Sequence, residues 1–384
     1  MLAGTNVALG VTGSIAAVKV VELAHELRRR GASVRAVTTG AARGIVHPWA
    51  VEFATENPVV TEITGAVEHV ELCGRDGWAD VFLIAPATAN TVGKIAAAVD
   101  DTPVTTCATT ALGAGVPVVV APAMHEPMYD HPGVLDAIDR VESWGVEFVD
   151  PRIEEGKAKI ATEDAIALDL ARATAPDRFD GANVVVTSGA TSEPVDPVRV
   201  LTNRSSGKTG RAVARACYAL GADVTLVHDG DDVPYAEVAS VETAAEMTEA
   251  VLDRVEGGAA DAVVSAAAVS DYTVEAADEK IRSGQELALD LTPTPKLIDE
   301  VRETGDLPVV GFKAETSGDD EAMVAAARET LRRADLAFVV ANDAGVMGDD
   351  LTRTLFVREH SVREYEGSKE RLGWRVAEQL ADEL

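Results

Sequence analysis

Short apolar runs, each followed by a turn and then a helical pattern, recur along both halves of this chain. Runs at 7–11, 34–37, 81–85 and 116–121 read as buried strands, and the patterns at 15–30, 91–99 and 134–143 read as helices, with Ser14 capping the first and Gly31 ending it. Strands that alternate with helices build a parallel, doubly wound sheet, with ligands at the carboxyl ends of the strands. The second half starts again, with strands expected at 184–187, 224–227, 262–266, 309–312 and 337–341 and helices at 210–220, 244–255, 320–333 and 369–384. Between the halves, the polar stretch 173–181 carries Pro176 and Gly181 and reads as a linker. The fold expected is α/β, with two doubly wound Rossmann-like domains at residues 1–175 and 181–384. A chain of 384 residues exceeds the usual size of one domain.

Charge narrows the partners. The formal net charge is −30, and nine lysines stand against 25 arginines. One reading is a merely soluble acidic protein; the other is adaptation to a high-salt cytoplasm, where carboxylates hold hydration and salt screens their repulsion. Acidity together with lysine avoidance favours the second, halophilic reading. Nucleic acid is opposed electrostatically, and phosphate-bearing substrates require a locally basic site. Of the five lysines after residue 180, four (Lys208, Lys280, Lys296 and Lys313) fall in the motifs described below, as point charges for phosphate would. No apolar run reaches the ~18 residues of a membrane span, and the N-terminus does not read as a signal peptide. Cys73, Cys107 and Cys217 are scattered and outside CxxC spacing, which fits a reduced cytoplasmic protein and neither a zinc site nor a disulfide frame.

In the first half, Gly10-Val11-Thr12-Gly13-Ser14 opens the first strand–helix turn. It is not GxGxxG, and a tight turn alone would account for it. It is followed in order by Glu68-His69-Val70-Glu71-Leu72, Ala85-Pro86-Ala87-Thr88-Ala89-Asn90-Thr91 and Ala121-Pro122-Ala123-Met124-His125-Glu126-Pro127-Met128-Tyr129. With this set, residues 1–172 resemble the flavin-binding cysteine decarboxylase family, in which GxxGSIAAxK, a histidine before the third strand, PATANT and PAMxxxMY occur in that order. The resemblance implies a flavodoxin-like flavoprotein that binds FMN. Gly13, Ser14, Thr38 and Thr39 would lie at the phosphate, and Thr88, Asn90 and Thr91 would line the cofactor. It also implies His69 as the base, and His125 and Met128 at the substrate. Flavin is needed because loss of CO₂ from an N-acyl cysteine leaves a carbanion with no acceptor, whereas oxidation of the thiol to a thioaldehyde spreads that charge onto sulfur.

Two departures from the family stand out. His125 replaces a common asparagine, and imidazole can still donate to a carboxylate. The flap that carries a cysteine proton donor in bacterial relatives corresponds to Glu154-Glu155-Gly156-Lys157-Ala158-Lys159-Ile160, which has none. Lys159 lies nearest the missing thiol. Either it is an acid of depressed pKa or it is an exposed loop lysine.

In the second half, the loop Thr187-Ser188-Gly189-Ala190-Thr191-Ser192-Glu193-Pro194-Val195-Asp196-Pro197-Val198-Arg199 runs on to Thr202-Asn203-Arg204-Ser205-Ser206-Gly207-Lys208-Thr209-Gly210. Such a loop between strand and helix can aim several backbone N–H groups at an anion. Gly207-Lys208-Thr209 does not complete GxxxxGK[ST], because Thr202 stands where a glycine is required. Further on come Ser265-Ala266-Ala267-Ala268-Val269-Ser270-Asp271-Tyr272, Glu279-Lys280-Ile281-Arg282, Thr294-Pro295-Lys296-Leu297-Ile298, Gly311-Phe312-Lys313-Ala314-Glu315-Thr316 and Ala341-Asn342-Asp343.

Residues 181–384 thereby resemble phosphopantothenate–cysteine ligases, whose SGxTxEPxDPVRxxxNxSSGxxG, AAVxDY, EKI, GFxAET and AND motifs are matched in order. That family implies activation of a carboxylate by CTP as an acyl cytidylate, with Mg²⁺ held through phosphates and water, which leaves little sequence trace. Lys280 would stabilise the triphosphate, and Asn203 would position the intermediate. Ser265, Ala266, Ala267, Asp271, Pro295, Lys296, Leu297, Ile298 and Phe312 would contact the nucleotide. Arg328 and Arg332, at i and i+4, would reach the same anion or else form an exposed basic face.

Together the resemblances imply a bifunctional enzyme of coenzyme A biosynthesis. It would join 4′-phosphopantothenate to cysteine and decarboxylate the product to 4′-phosphopantetheine. The alternative is an active ligase fused to a flavoprotein with another role, either peptidyl-cysteine decarboxylation or flavin-binding regulation. Family likeness also implies trimeric decarboxylase and dimeric ligase units, compatible with a dodecamer.

Overall fold

The computed structural model describes residues 1–284, 286–315, 319–343 and 351–384, with Glu315 and Asp343 described through their backbone alone. It divides into two compact units, Met1–Ala175 and Pro176–Leu384.

The first unit is built on five parallel strands in the spatial order Ser33–Thr38, Asn6–Val11, Val81–Ala87, Val118–Pro122, Val146–Phe148. All seven residues of the central strand VFLIAPA are buried, because helices cover both faces and leave no side for water. One face (Ala8, Val37, Phe82, Ile84, Val118, Val120) forms a single core with helices Ala89–Ala96, Pro103–Ala114 and Pro132–Glu142. Helices Val20–Arg29 and Glu163–Thr174 pack on the sheet and on each other, and the alternation of side chains along a strand puts them on the opposite face. Strand order reverses between Asn6–Val11 and Val81–Ala87, so the crevice of this sheet opens at their carboxyl ends. The segment expected as one helix over 15–30 is a 3₁₀ turn, Ile15–Lys19, leading into the α-helix Val20–Arg29.

The second unit carries an eight-stranded sheet among the described residues. Its spatial order is Glu237–Ser240, Asp223–His228, Asn183–Thr187, Ala262–Ser265, Val309–Glu315, Phe338–Asp343, Leu351–Val357, Val362–Ser368. The first six are parallel and the last two antiparallel. That closing pair is a departure from the parallel pattern expected. Its outer strand VREYEGS is largely exposed and charged, as an unpaired sheet edge has to be. Helices Ala244–Glu256, Leu297–Thr304 and Asp320–Arg333 share one core with Val185, Val227, Val263, Val309 and Val339. Helices Lys208–Ala219 and Lys369–Ala381 pack together, the former also against the strands. Among the described residues no helix is long and apolar enough to cross a membrane.

Gly373 permits the last helix pair to close: a Cβ there would lie 2.3 Å from the Ala212 carbonyl oxygen. Gly373→Val should therefore cost about 1–3 kcal/mol as overpacking against rigid backbone. Gly113→Ala, in a helix with open space around it, should gain about 0.5–1 kcal/mol. Urea unfolding of both variants checks the pair.

Candidate functional site

In the first unit, hydroxyl groups lace together the turns at the carboxyl ends of the strands. Thr12 Oγ1 donates to the Pro86 carbonyl at 2.7 Å and Ser14 Oγ to the Ala123 carbonyl at 2.9 Å. Backbone bonds add Ala123 N–H to Ala87 O (2.9 Å) and Thr39 N–H to Val11 O (3.0 Å). The Gly10–Ser14 turn, the Thr38–Thr39 loop and the PATANT and PAM segments therefore meet at the point where strand order reverses. Gly13 has to be glycine, since a Cβ would lie 2.5 Å from Ala41 Cβ.

Each small polar residue expected here has a definite place. Ser14 caps Ile15–Lys19, Thr39 caps Gly40–Arg43, and Thr88 caps Ala89–Ala96 by accepting from Thr91 N–H. Thr88 and Thr91 hydroxyls are 3.0 Å apart, Thr91 is buried, and Asn90 is exposed. Thr38 Oγ1 is buried with no hydrogen-bond partner among the described residues. A cradle too tight for a Cβ and an orphaned buried hydroxyl among small polar groups at the strand ends fit an anionic cofactor.

His69 lies on the helix Glu68–Cys73, which starts after Val67 in the left-handed region (φ 50°). Glu68 steadies this start by accepting from the Thr64 N–H at 2.8 Å and from its hydroxyl. Glu71 ties the helix to Arg35 of the neighbouring strand at 2.8 Å. The His69 ring is half-buried, and its Nδ1 is buried without a hydrogen-bond partner among the described residues.

His125 and Met128 follow the PAM turn, and both are exposed. Met124–His125 pairs with Lys157–Lys159, which pairs in turn with Arg152–Glu154 around a turn of positive φ at Glu155 (54°) and Gly156 (67°). The flap is thus a β-hairpin, with Lys157 in register with His125. Lys159 does not have a depressed pKa. Its ammonium bonds Glu154 at 3.0 Å and Glu155 at 3.1 Å, and these carboxylates, Glu154 foremost, push its pKa upward. The cysteines offer no substitute. All three are buried; hydrogen bonding of the Cys107 thiol to Cys73, together with burial, raises Cys107, and burial pushes Cys217 up to about 12.

In the second unit a cleft of about 820 Å³ opens at the carboxyl ends of the parallel strands. Asn203, Lys208, Ser265, Ala266, Ala267, Asp271, Pro295, Lys296, Leu297, Ile298 and Phe312, all expected from sequence, line it. The letters of the long motif hold it open. Ser188 Oγ donates to Gly207 O (2.9 Å), Thr187 Oγ1 accepts from Ala267 N–H (3.1 Å) and Thr191 Oγ1 from Ser270 N–H (2.8 Å). Asn203 Nδ2 donates to Ala268 O at 3.0 Å. Glu193 is buried and accepts from Ala244 N–H at 2.9 Å, at the start of the helix Ala244–Glu256.

Gly207 (φ 70°) precedes the helix Lys208–Ala219 with no side-chain cap. The N–H groups of its first turn therefore face the cleft, a ready anion site. Gly210 permits this packing, since a Cβ would lie 2.6 Å from Ser188 Oγ. Asp271 and Lys296 form an ion pair with each other.

Three expected residues do not line the cleft. Lys280 is exposed on a neighbouring loop. Arg332 forks onto Glu359 (2.9–3.1 Å). Arg328 is half-buried, with Nε unpartnered among the described residues. Thr330 and Arg333 of the same helix, Asp320–Arg333, line the cleft. Sequence reasoning also missed Thr352, Thr354 and Lys369 as lining residues. Thr316 lies outside the described residues.

Asp196 organises the loop that bears Lys280. Its buried carboxylate accepts from Val198 N–H (2.8 Å), Arg199 N–H (2.9 Å) and Ile281 N–H (3.1 Å), and pairs with the Arg199 guanidinium. Burial alone would raise its pKa, but these donors hold it below the ordinary carboxylate range. The stabilisation is therefore present above the unfolded-state value of about 3.9 and is lost as pH falls through the lower folded value. Asp196→Ala should lower the melting temperature at neutral pH. The gap from the parent protein should narrow below about pH 4, as followed by thermal melts across pH.

Comparison with known proteins matches residues 1–173 to the Flavoprotein family and residues 179–384 to the DNA/pantothenate metabolism flavoprotein C-terminal domain. The coenzyme A biosynthesis bifunctional protein CoaBC of Thermococcus kodakarensis is 47% identical over 388 residues, covering 100% of this chain and 95% of the relative. That of Methanocaldococcus jannaschii is 34% identical, covering 99% and 94%. Among solved structures, the C-terminal domain of a CoaBC protein matches at 29% identity with a TM-score of 0.45, covering 54% of this chain and 97% of that one. The chain belongs to this bifunctional family of coenzyme A biosynthesis, a flavoprotein decarboxylase unit joined to a phosphopantothenate–cysteine ligase unit.

Proposed function

We propose that the cleft of the second unit uses CTP to activate 4′-phosphopantothenate. A carboxylate oxygen attacks the α-phosphorus, the bond to the β-phosphate breaks, and pyrophosphate leaves an acyl cytidylate. The cysteine amine then attacks the acyl carbon, expels CMP and loses a proton. Charge develops on phosphoryl oxygens, so preorganised cations and N–H groups are what the reaction needs. The observation that carries this reading is the convergence of the ordered motifs on one cleft floored by an uncapped helix N-terminus. Lys208, Lys296 and Lys313 bring positive charge to it, and Asn203, braced on Ala268, positions the intermediate. Lys280 meets the triphosphate from the loop tethered at Ile281. Mg²⁺ held by phosphates and water suits a unit that shows no cluster of three metal-ligating side chains among its described residues.

In the first unit the residues fit FMN. Ser14, Thr38 and Thr39 would hold its phosphate; Gly13 would allow its close approach; Thr88, Asn90 and Thr91 would border its ring. Bound flavin supplies a hydride acceptor that returns the hydride after CO₂ is lost. His69, half-buried on the helix Glu68–Cys73, takes the substrate proton. His125 donates to the substrate carboxylate, beside Met128 and the flap hairpin. Lys159 is not assigned the acid role, since two carboxylates hold its proton. The exposed Ile15, Val18, Val67 and Val70 flank Ser14 and His69, which suits a trimer that buries them between copies.

The test supplies 4′-phosphopantothenate, cysteine, CTP and Mg²⁺ in molar KCl and follows products by mass. Phosphopantetheine, CMP and pyrophosphate are expected, and absence of acylated cysteine would remove the ligase reading. With His69→Asn, phosphopantothenoylcysteine should accumulate at the parent rate while its decarboxylation slows at least ~100-fold. Equal decarboxylation by the variant would remove His69 as the base.

A further inference from the structure

In the first unit, neither Lys159 nor the buried cysteines supply a proton donor. Loss of CO₂ from the oxidised substrate leaves an enethiolate, and a proton has to reach the carbon that carried the carboxylate. A group that faces the carboxylate therefore also faces that carbon.

The register of the flap hairpin selects the group. Residues directly opposite in an antiparallel ladder share one face, with Cβ atoms ~4.5–5.5 Å apart. Lys157 stands opposite His125, whereas Lys159 stands opposite Arg152 on the outer strand. Alternation turns Ala158 to the other face, where it is buried. At the flap tip, the Glu126 N–H donates to Gly156 O at 3.2 Å. The Lys157 backbone is thus held while its side chain is exposed. Its neighbour on the outer strand, Glu154, spends one oxygen on Arg152 and the other on Lys159, each at 3.0 Å. That leaves Lys157 without an ion pair among the described residues. Lysine rather than arginine also fits. The chain uses 25 arginines and nine lysines, and a guanidinium keeps its proton where an ammonium can give one up.

We propose that Lys157, across the flap from His125, is the acid of the decarboxylase reaction. Its Nζ gives a proton to the carbon that CO₂ has left. The electron pair of the carbon–carbon double bond forms the new C–H bond, a sulfur lone pair forms C=S, and the amine regains its proton from water. The thioaldehyde so made is what the returned hydride reduces to the product thiol. Without the proton, the substrate leaves as the enethiol, two hydrogens short of phosphopantetheine. The inference rests on the decarboxylase reading.

A single anaerobic turnover of 4′-phosphopantothenoylcysteine by the full-length holoenzyme, followed by product mass and flavin absorbance, tests the assignment on Lys157→Gln and Lys157→Arg. In the parent, phosphopantetheine forms and the flavin colour returns. Both variants should still release CO₂ but form phosphopantetheine at least ~100-fold more slowly, with the enethiol accumulating and the flavin left bleached. Lys157→Arg separates the proton from the charge, because it keeps a cation beside His125. Phosphopantetheine formed at the parent rate by Lys157→Arg would reduce Lys157 to a carboxylate-holding cation and overturn the proposal. Unchanged product from Lys157→Gln would overturn it too. So would CO₂ release and phosphopantetheine slowed together, the mark of a merely structural role. A parent protein that releases no CO₂ removes the decarboxylase reading and this proposal with it.

Discussion

Both units depend on hydrogen bonds between small hydroxyl side chains and backbone across the carboxyl ends of parallel strands. Such an edge leaves N–H and C=O groups that the sheet no longer pairs, and each unsatisfied group would cost about 1–3 kcal/mol if buried. Thr12 and Ser14 close the edge in the first unit; Thr187, Ser188 and Thr191 close it in the second. A longer side chain could not make these bonds without filling the crevice. Ser, Thr, Gly and Ala therefore dominate both signature loops: the same residues that hold the turns leave room for a ligand.

Against a net charge of −30, phosphate recognition has to be local. Four of the nine lysines, Lys208, Lys296, Lys313 and Lys369, line one cleft, and an uncapped helix end adds partial positive charge without any side chain. Outside the sites, arginine carries much of the cation work in exposed pairs such as Arg332–Glu359 and Arg353–Asp320. Screening makes such pairs worth little each, and more so in high salt.

The α/β class and the parallel strands were legible because buried strands read as apolar runs and each was followed by a helical period. The helix Pro103–Ala114 was not. Four threonines dilute its apolar pattern and have weak helix propensity, and what defines it is the Thr102–Thr105 capping box, a proline at its start and Gly115 beyond its end. The flap hairpin was equally hidden, since three-residue strands carry too little alternation to register. In the second site the motif residues came together as local signatures should. Residues brought by distant elements, such as Thr354 from the antiparallel pair, carried no local signal.

The lysines show where spacing stops being informative. Sequence grouping set Lys369 apart from the other four after residue 180, because it opens a terminal helix far from any motif. In the fold it is Lys280 that stands apart from the cleft lining, and Lys369 that lines the cleft together with Lys208. The exchange follows from packing. Gly373 on Ala212 brings the two helices to backbone contact, and that contact levels their first turns, so a lysine at the first position of each must open on the same space. A motif search weights residues by their neighbours in sequence, whereas an anion weights them by distance. Only the close approach that glycine allows makes Lys369 a neighbour of Lys208.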